Sequence, residues 1–136
     1  MTTTHDTLYR FYDALGRGDL PTVLALFAPD IEWTEAERFP YYGGTWRGPE
    51  AIVKNLFEPL SRDWATFSAR PEHYVVESDQ AVVLGVYVGT HKRTGQSLTA
   101  PFAHHWTLRS GKIIRFVQYT DTAKVLEAVR ARTDAN

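Results

Sequence analysis

Two adjacent histidines, His104 and His105, stand in FAHHWTLRSGKIIRFVQYTDTAKVLEAV, residues 102–129. The stretch reads as two strands joined by a short turn and followed by a helix. Side chains alternate across a strand, so Phe102, His104, Trp106 and Leu108 share one face, while Ala103, His105, Thr107 and Arg109 share the other. The first face is apolar except for His104 and is expected to meet the core. His105 is left to the opposite side, where water or a partner subunit solvates it. A buried imidazole can orient a ligand or move a proton, or it can be a core residue bonded to a Tyr hydroxyl or a backbone carbonyl. The pattern leaves both roles open.

Other polar residues are weighed in the same way. His73 and His91 are expected at the surface, and His5 belongs to the start of the first helix. No H-x-H, H-x-x-x-H or HExxH spacing converges the five histidines, so a metal is not expected. Asp121 is explained by capping the last helix. Trp33, Tyr41, Tyr42, Trp46 and Trp106 either wall a hydrophobic cavity or fill a core.

Composition narrows the partners. Fifteen Lys and Arg against 16 Asp and Glu leave a formal charge of −1, without the basic surplus that holds phosphates, so nucleic acid is not expected. The absence of cysteine excludes disulfides, thiolate metal sites and a cysteine nucleophile. No segment approaches the ~18 apolar residues that span a bilayer, and MTTTHDTLYR lacks the apolar core of a signal peptide. A cytoplasmic protein without a membrane partner is the expectation. A chain of 136 residues suits one domain, residues 1–136. It should bury roughly two thirds of its unfolded surface, enough for a core and an internal pocket.

The elements that must position these residues follow from periodicity. Leu8, Phe11, Tyr12 and Leu15 form one helical stripe, which Gly16 and Gly18 can end. Asp19 caps a second helix, with Pro21 in its first turn, an apolar side of Val23, Leu24, Leu26 and Phe27, and Pro29 as its stop. Residues 31–35 read as a brief strand and 36–48 as a structured loop. Pro49 starts a third helix that buries Ile52, Val53, Leu56, Phe57 and Leu60. β-rich runs follow near 66–77, 81–91, 97–109 and 112–120, separated by turns at Ser78-Asp79, Thr94-Gly95 and Ser110-Gly111. Val125, Leu126 and Val129 then repeat at helical spacing. Helices followed by a meander predict an α+β fold, a cone-shaped roll in which the helices pack on a curved antiparallel sheet and enclose a pocket.

Three stretches together, YRFYDALGRGDLPTVLALFAPDIEW, GGTWRGPEAIVKNLF and FAHHWTLRSGKIIRFVQYTDTAKVLEAV, resemble the SnoaL-like branch of the nuclear transport factor 2-like, or ketosteroid-isomerase-like, superfamily. The resemblance covers nearly the whole chain. In the steroid isomerases an Asp base works with an oxyanion hole made by a Tyr and a protonated Asp. Alignment of LFAPDIEWTEA implies that Glu35 takes the place of the base. The oxyanion tyrosine falls on Phe11, with Tyr12 adjacent, and the oxyanion acid falls on His104. The resemblance also turns Ile114, Phe116, Gln118 and Thr120 towards the cavity, and places Asp121 where the family's Asp-Thr-Ala turn closes it. For Glu35 a plain alternative stands beside the base: an ion pair with Arg38 or Arg47.

The resulting expectation is a small-molecule pocket protein, with Glu35 and His104 as catalytic residues. Phe11, Tyr12, Trp33, Tyr42, Trp46, Phe102, Trp106, Phe116, Gln118 and Asp121 are its expected pocket residues. Cofactor-free acid/base chemistry on a hydrophobic carbonyl-containing ring compound, of isomerase, cyclase or dehydratase type, is the leading reading. A non-catalytic ligand-binding or association module is the alternative. A homodimer is expected, because one layer of helices covers only one face of the sheet.

Overall fold

Helix α1 (Thr4–Gly16) begins with a reciprocal capping box: Thr3 accepts from the Asp6 backbone N–H, and the Asp6 side chain accepts from that of Thr3. The computed structural model describes residues 3–130, so the expected domain of residues 1–136 extends outside them at both ends. Leu8, Phe11, Tyr12 and Ala14 bury the inner side of α1. Asp19 caps α2 (Leu20–Ala25) through the Thr22 N–H. This helix is shorter than its apolar run suggests. Phe27 already belongs to strand β1 (Phe27–Thr34), and Pro29 lies inside that strand rather than at a helix end. The register of β1 shifts between Phe27 and Glu32, an irregular stretch where a residue without an N–H is tolerated.

The aromatic loop after β1 contains a short strand, β2 (Thr45–Arg47), paired antiparallel with β1. Helices α3 (Pro49–Ile52) and α4 (Glu58–Asp63) join through a π-helical stretch, Val53–Phe57. Pro59 has no N–H to donate to the preceding turn. The backbone widens just before it, with the Glu58 N–H bonded to the Val53 carbonyl. Ile52 and Leu56 are buried on this segment, whereas Val53, Phe57 and Leu60 are only partly so.

Strands β3 (Trp64–Glu77), β4 (Gln80–His91), β5 (Ser97–Arg109) and β6 (Lys112–Thr120) form consecutive hairpins at the expected turns. The full order is β2-β1-β6-β5-β4-β3, a curved, unclosed sheet of six strands. One expectation needs correction: β1 lies parallel to β6, so the sheet is mixed. Gly85 contributes to the curvature, because a β-carbon there would collide with the Arg70 carbonyl of β3 and the Phe102 ring. A register shift beside it, between Pro71 and His73, marks the bend. Asp121 caps α5 (Thr122–Val129), whose last carbonyls accept from Thr94 and Arg93 of the β4–β5 turn. No helix among the described residues is long and apolar enough to cross a membrane.

Candidate functional site

A cavity of about 470 Å³ opens between the helices and the concave face of the sheet. Trp33, Phe39, Leu56, Phe57, Trp64 and Phe116 supply much of its apolar wall, and the exposed Gly16, Gly18, Ser61 and Lys92 mark its mouth. Its buried polar groups are Glu35, Tyr87, His104 and Gln118.

Glu35 follows directly on β1 and is buried at 3% exposure. The Trp33 indole N–H donates to its Oε2 over 2.8 Å. Among the described residues no arginine pairs with it: Arg47 instead meets Glu32 on the outer edge, 3.3 Å away. Burial therefore dominates and pushes the carboxyl from its ordinary 4.5 up to about 8, against the opposing bond from Trp33. At neutral pH the group is mainly a neutral acid, and it becomes a base on the alkaline side.

His104 faces inward as parity predicts, and both its ring nitrogens are engaged. Nδ1 lies 2.5 Å from the Tyr12 hydroxyl and Nε2 lies 2.6 Å from the Tyr87 hydroxyl. Phe102 stacks on the ring with centroids 3.9 Å apart. Desolvation holds the imidazole well below its ordinary pKa, so it is neutral. Gln118 extends the network: its Nε2 donates to the Tyr87 hydroxyl (2.8 Å), and its Oε1 accepts from the Ala36 N–H (3.0 Å).

The other expected residues separate into groups. Phe11, Trp33, Phe116 and Gln118 join Glu35 and His104 on the cavity wall. Tyr12, Phe102 and Trp106 are buried behind it, in the core that supports His104. Tyr42 is 43% exposed and lies outside the cavity, since its loop carries the ring outward. Trp46 packs at the edge of the core against Gly43 and does not line the cavity. Asp121 also lies outside the lining; its carboxylate accepts from the Lys124 N–H and caps α5.

Ile113, rather than Ile114, is buried on β6, because the register with β5 shifts between Thr107 and Leu108. His91, expected at the surface, is 5% exposed and sits against the Trp64 ring with Nδ1 accepting from the Arg93 N–H. Among the described residues no three His, Asp, Glu or Cys side chains gather where they could hold a metal ion.

Tyr87 is the polar site residue that the sequence reading missed. Its signal was present. On β4 the alternation of Ala81, Val83, Gly85, Tyr87, Gly89 and His91 places all six on the inner face.

The SnoaL-like domain profile matches residues 8–116. Among solved structures, a nuclear transport factor 2-like protein of Burkholderia thailandensis is 36% identical, with 96% of this chain and 99% of that chain covered and a TM-score of 0.91. A second such protein, of unknown function, from Burkholderia pseudomallei is 31% identical, with 96% and 100% covered and a TM-score of 0.88. TerC, crystallised with polyporic acid, is 26% identical, with 93% and 97% covered and a TM-score of 0.83. A search of the curated proteins finds no match.

Proposed function

Because the chain belongs to the SnoaL-like domain family, in which the cavity of this fold is the natural place for a ligand, we propose that it binds a hydrophobic, oxygen-bearing ring compound and moves a proton on it without a cofactor. The observation that carries this reading is Glu35. A buried carboxyl with no cation beside it among the described residues, one hydrogen bond from Trp33 and an apolar cavity in front of it is costly to keep for structure alone. A carboxyl that changes charge near pH 8 can take a proton from a carbon next to a carbonyl, or return one to a leaving oxygen. The polar groups around His104 would meet the oxygen that gains charge. TerC, whose structure was obtained with polyporic acid, supports a small-molecule ligand for this cavity.

One observation favours the second reading, a pocket that only binds. Both nitrogens of His104 are already bonded to tyrosines, which is how a core histidine satisfies itself.

The test is a thermal-shift screen of aromatic and polycyclic carbonyl compounds, polyporic acid included. Each hit that carries a C–H next to a carbonyl is then incubated in D₂O, and exchange of that C–H is followed by NMR. Catalysed exchange that Glu35→Gln reduces by at least about 10²-fold supports the enzyme. Tight binding with exchange no faster than in buffer leaves the binder.

A further inference from the structure

Five polar groups run through the core in one chain: the Trp106 indole, the Tyr12 hydroxyl, the His104 ring, the Tyr87 hydroxyl and the Gln118 amide. The sense of both ends is fixed. An indole N–H only donates, so the Tyr12 oxygen accepts from Trp106 at 3.1 Å. At the far end the Ala36 backbone N–H only donates, which makes Gln118 Oε1 the acceptor there and turns Gln118 Nε2 as a donor towards Tyr87. Between these ends lie two contacts, Tyr12 to Nδ1 and Tyr87 to Nε2. Each uses one proton. A neutral imidazole brings one N–H and each tyrosine one O–H, so one hydroxyl proton remains without a partner.

Burial decides where it sits. With the ring proton on Nδ1, Tyr87 would donate to Nε2, and the Tyr12 proton would be stranded in the core, where Tyr12 has no other hydrogen-bond partner among the described residues. An unmade buried donor has given up its water and gained nothing in return, so this arrangement is disfavoured. With the proton on Nε2, Tyr12 donates to Nδ1 and His104 donates to Tyr87. The remaining proton is then on Tyr87, which lines the cavity together with Glu35. A hydroxyl that accepts twice is polarised and becomes a stronger donor.

We propose that the Tyr87 O–H is the donor this protein presents to a ligand, with His104 as the positioning residue that aims it, and that the ligand places a carbonyl or enolate oxygen against Tyr87. The assignment deepens the reading of the cavity as a small-molecule site, and it does not require Glu35 to transfer a proton.

Two measurements test it. NMR of the unliganded protein with ¹⁵N-labelled histidine reads the tautomer of His104 without any variant. A protonated Nε2 and an unprotonated Nδ1 are expected, and the reverse overturns the proposal. Benzophenone and diphenylmethane, which differ by a carbonyl, are then titrated into the parent, Tyr87→Phe and Glu35→Gln. Tyr87→Phe should weaken benzophenone by about tenfold and leave diphenylmethane within about twofold. Equal changes for the two probes, or a parent that does not prefer benzophenone, overturn the ligand assignment. Glu35→Gln should keep the preference for benzophenone, so a failure of proton transfer at Glu35 is distinguishable from a failure at Tyr87. If Tyr87→Phe does not fold, the tautomer and the parent's preference between the probes decide.

Discussion

Trp33 and Glu35 stand two residues apart where β1 ends, and the Trp33 Nε1–H donates to Glu35 Oε2 across 2.8 Å, the one hydrogen bond the Glu35 carboxyl makes among the described residues. Period-two geometry makes the contact local: two residues on, a side chain returns to the same side of the strand. The bond favours the charged carboxylate while the dry cavity opposes it, and the cavity prevails.

That balance makes stability depend on pH. The unfolded chain loses the Glu35 proton near 4.5, whereas the folded one keeps it until about 8. Its contribution is therefore fully present below 4.5 and is lost as pH rises towards 8. Glu35→Gln removes the ionisation. Denaturant melts should show the variant gaining on the parent between pH 5 and pH 8, and parallel pH profiles would refute the assignment of a raised pKa.

Trp33→Phe removes the bond that favours the carboxylate and keeps an aromatic ring against Phe116, on which Trp33 stacks at 3.9 Å. The Glu35 midpoint should rise above that of the parent. A ¹³C titration of the glutamate side-chain carboxyls measures it directly, and a lower midpoint would mean that the substitution has let water reach Glu35.

Much of this arrangement is legible in the sequence. Turn signals at Ser78-Asp79 and Ser110-Gly111 separate the strands, and the parity of Phe102, His104 and Trp106 places His104 inside. What was not legible depends on partners distant along the chain. Pro29 looked like a helix stop because the pairing of β1 beside β6 leaves no local mark, and Ile113 replaced Ile114 because a register shift between strands reverses parity. Tyr87 was hidden for a related reason. Its alternation was visible, but its cross-strand partners are Ala69 and Ala100, and only the folded sheet shows its hydroxyl reaching His104.

The outer face of the sheet carries the prediction of a homodimer. Cross-strand register aligns Val75, Val82, His105 and Val117 in one row, and Leu84, Ala103 and Tyr119 in the next. Val75 is 59% exposed, Leu84 39% and Tyr119 58%, a contiguous apolar surface of the kind that marks interfaces. Light scattering at micromolar concentration should give about twice 15.5 kDa, and Leu84→Lys with Tyr119→Glu should return the mass to that of one chain. A parent that already scatters as one chain rules the dimer out.

The two histidines provide the last comparison, because they differ by one position and share no environment. His104→Phe fills the space but leaves the Tyr12 and Tyr87 hydroxyls without their ring partner. At pH 7 the loss should be about 2 kcal/mol or more, the scale of breaking buried hydrogen bonds on both sides. The pH dependence identifies its origin. In the parent the folded ring resists protonation while the unfolded chain takes a proton near 6.5, so stability is lost as pH falls below about 6.5. The phenylalanine variant escapes that loss, and the gap between the two proteins should narrow from pH 7 to pH 5. Glu35 is common to both and cancels in the difference. His105 lies on the outer face, with Nε2 2.8 Å from Gln80 Oε1, so on the single-chain background of Leu84→Lys with Tyr119→Glu, His105→Phe should stay within about 0.5 kcal/mol of its parent at pH 7. Denaturant melts of these proteins are sufficient, and a gap for His104→Phe that widens at pH 5 would show the buried imidazole to be charged rather than neutral.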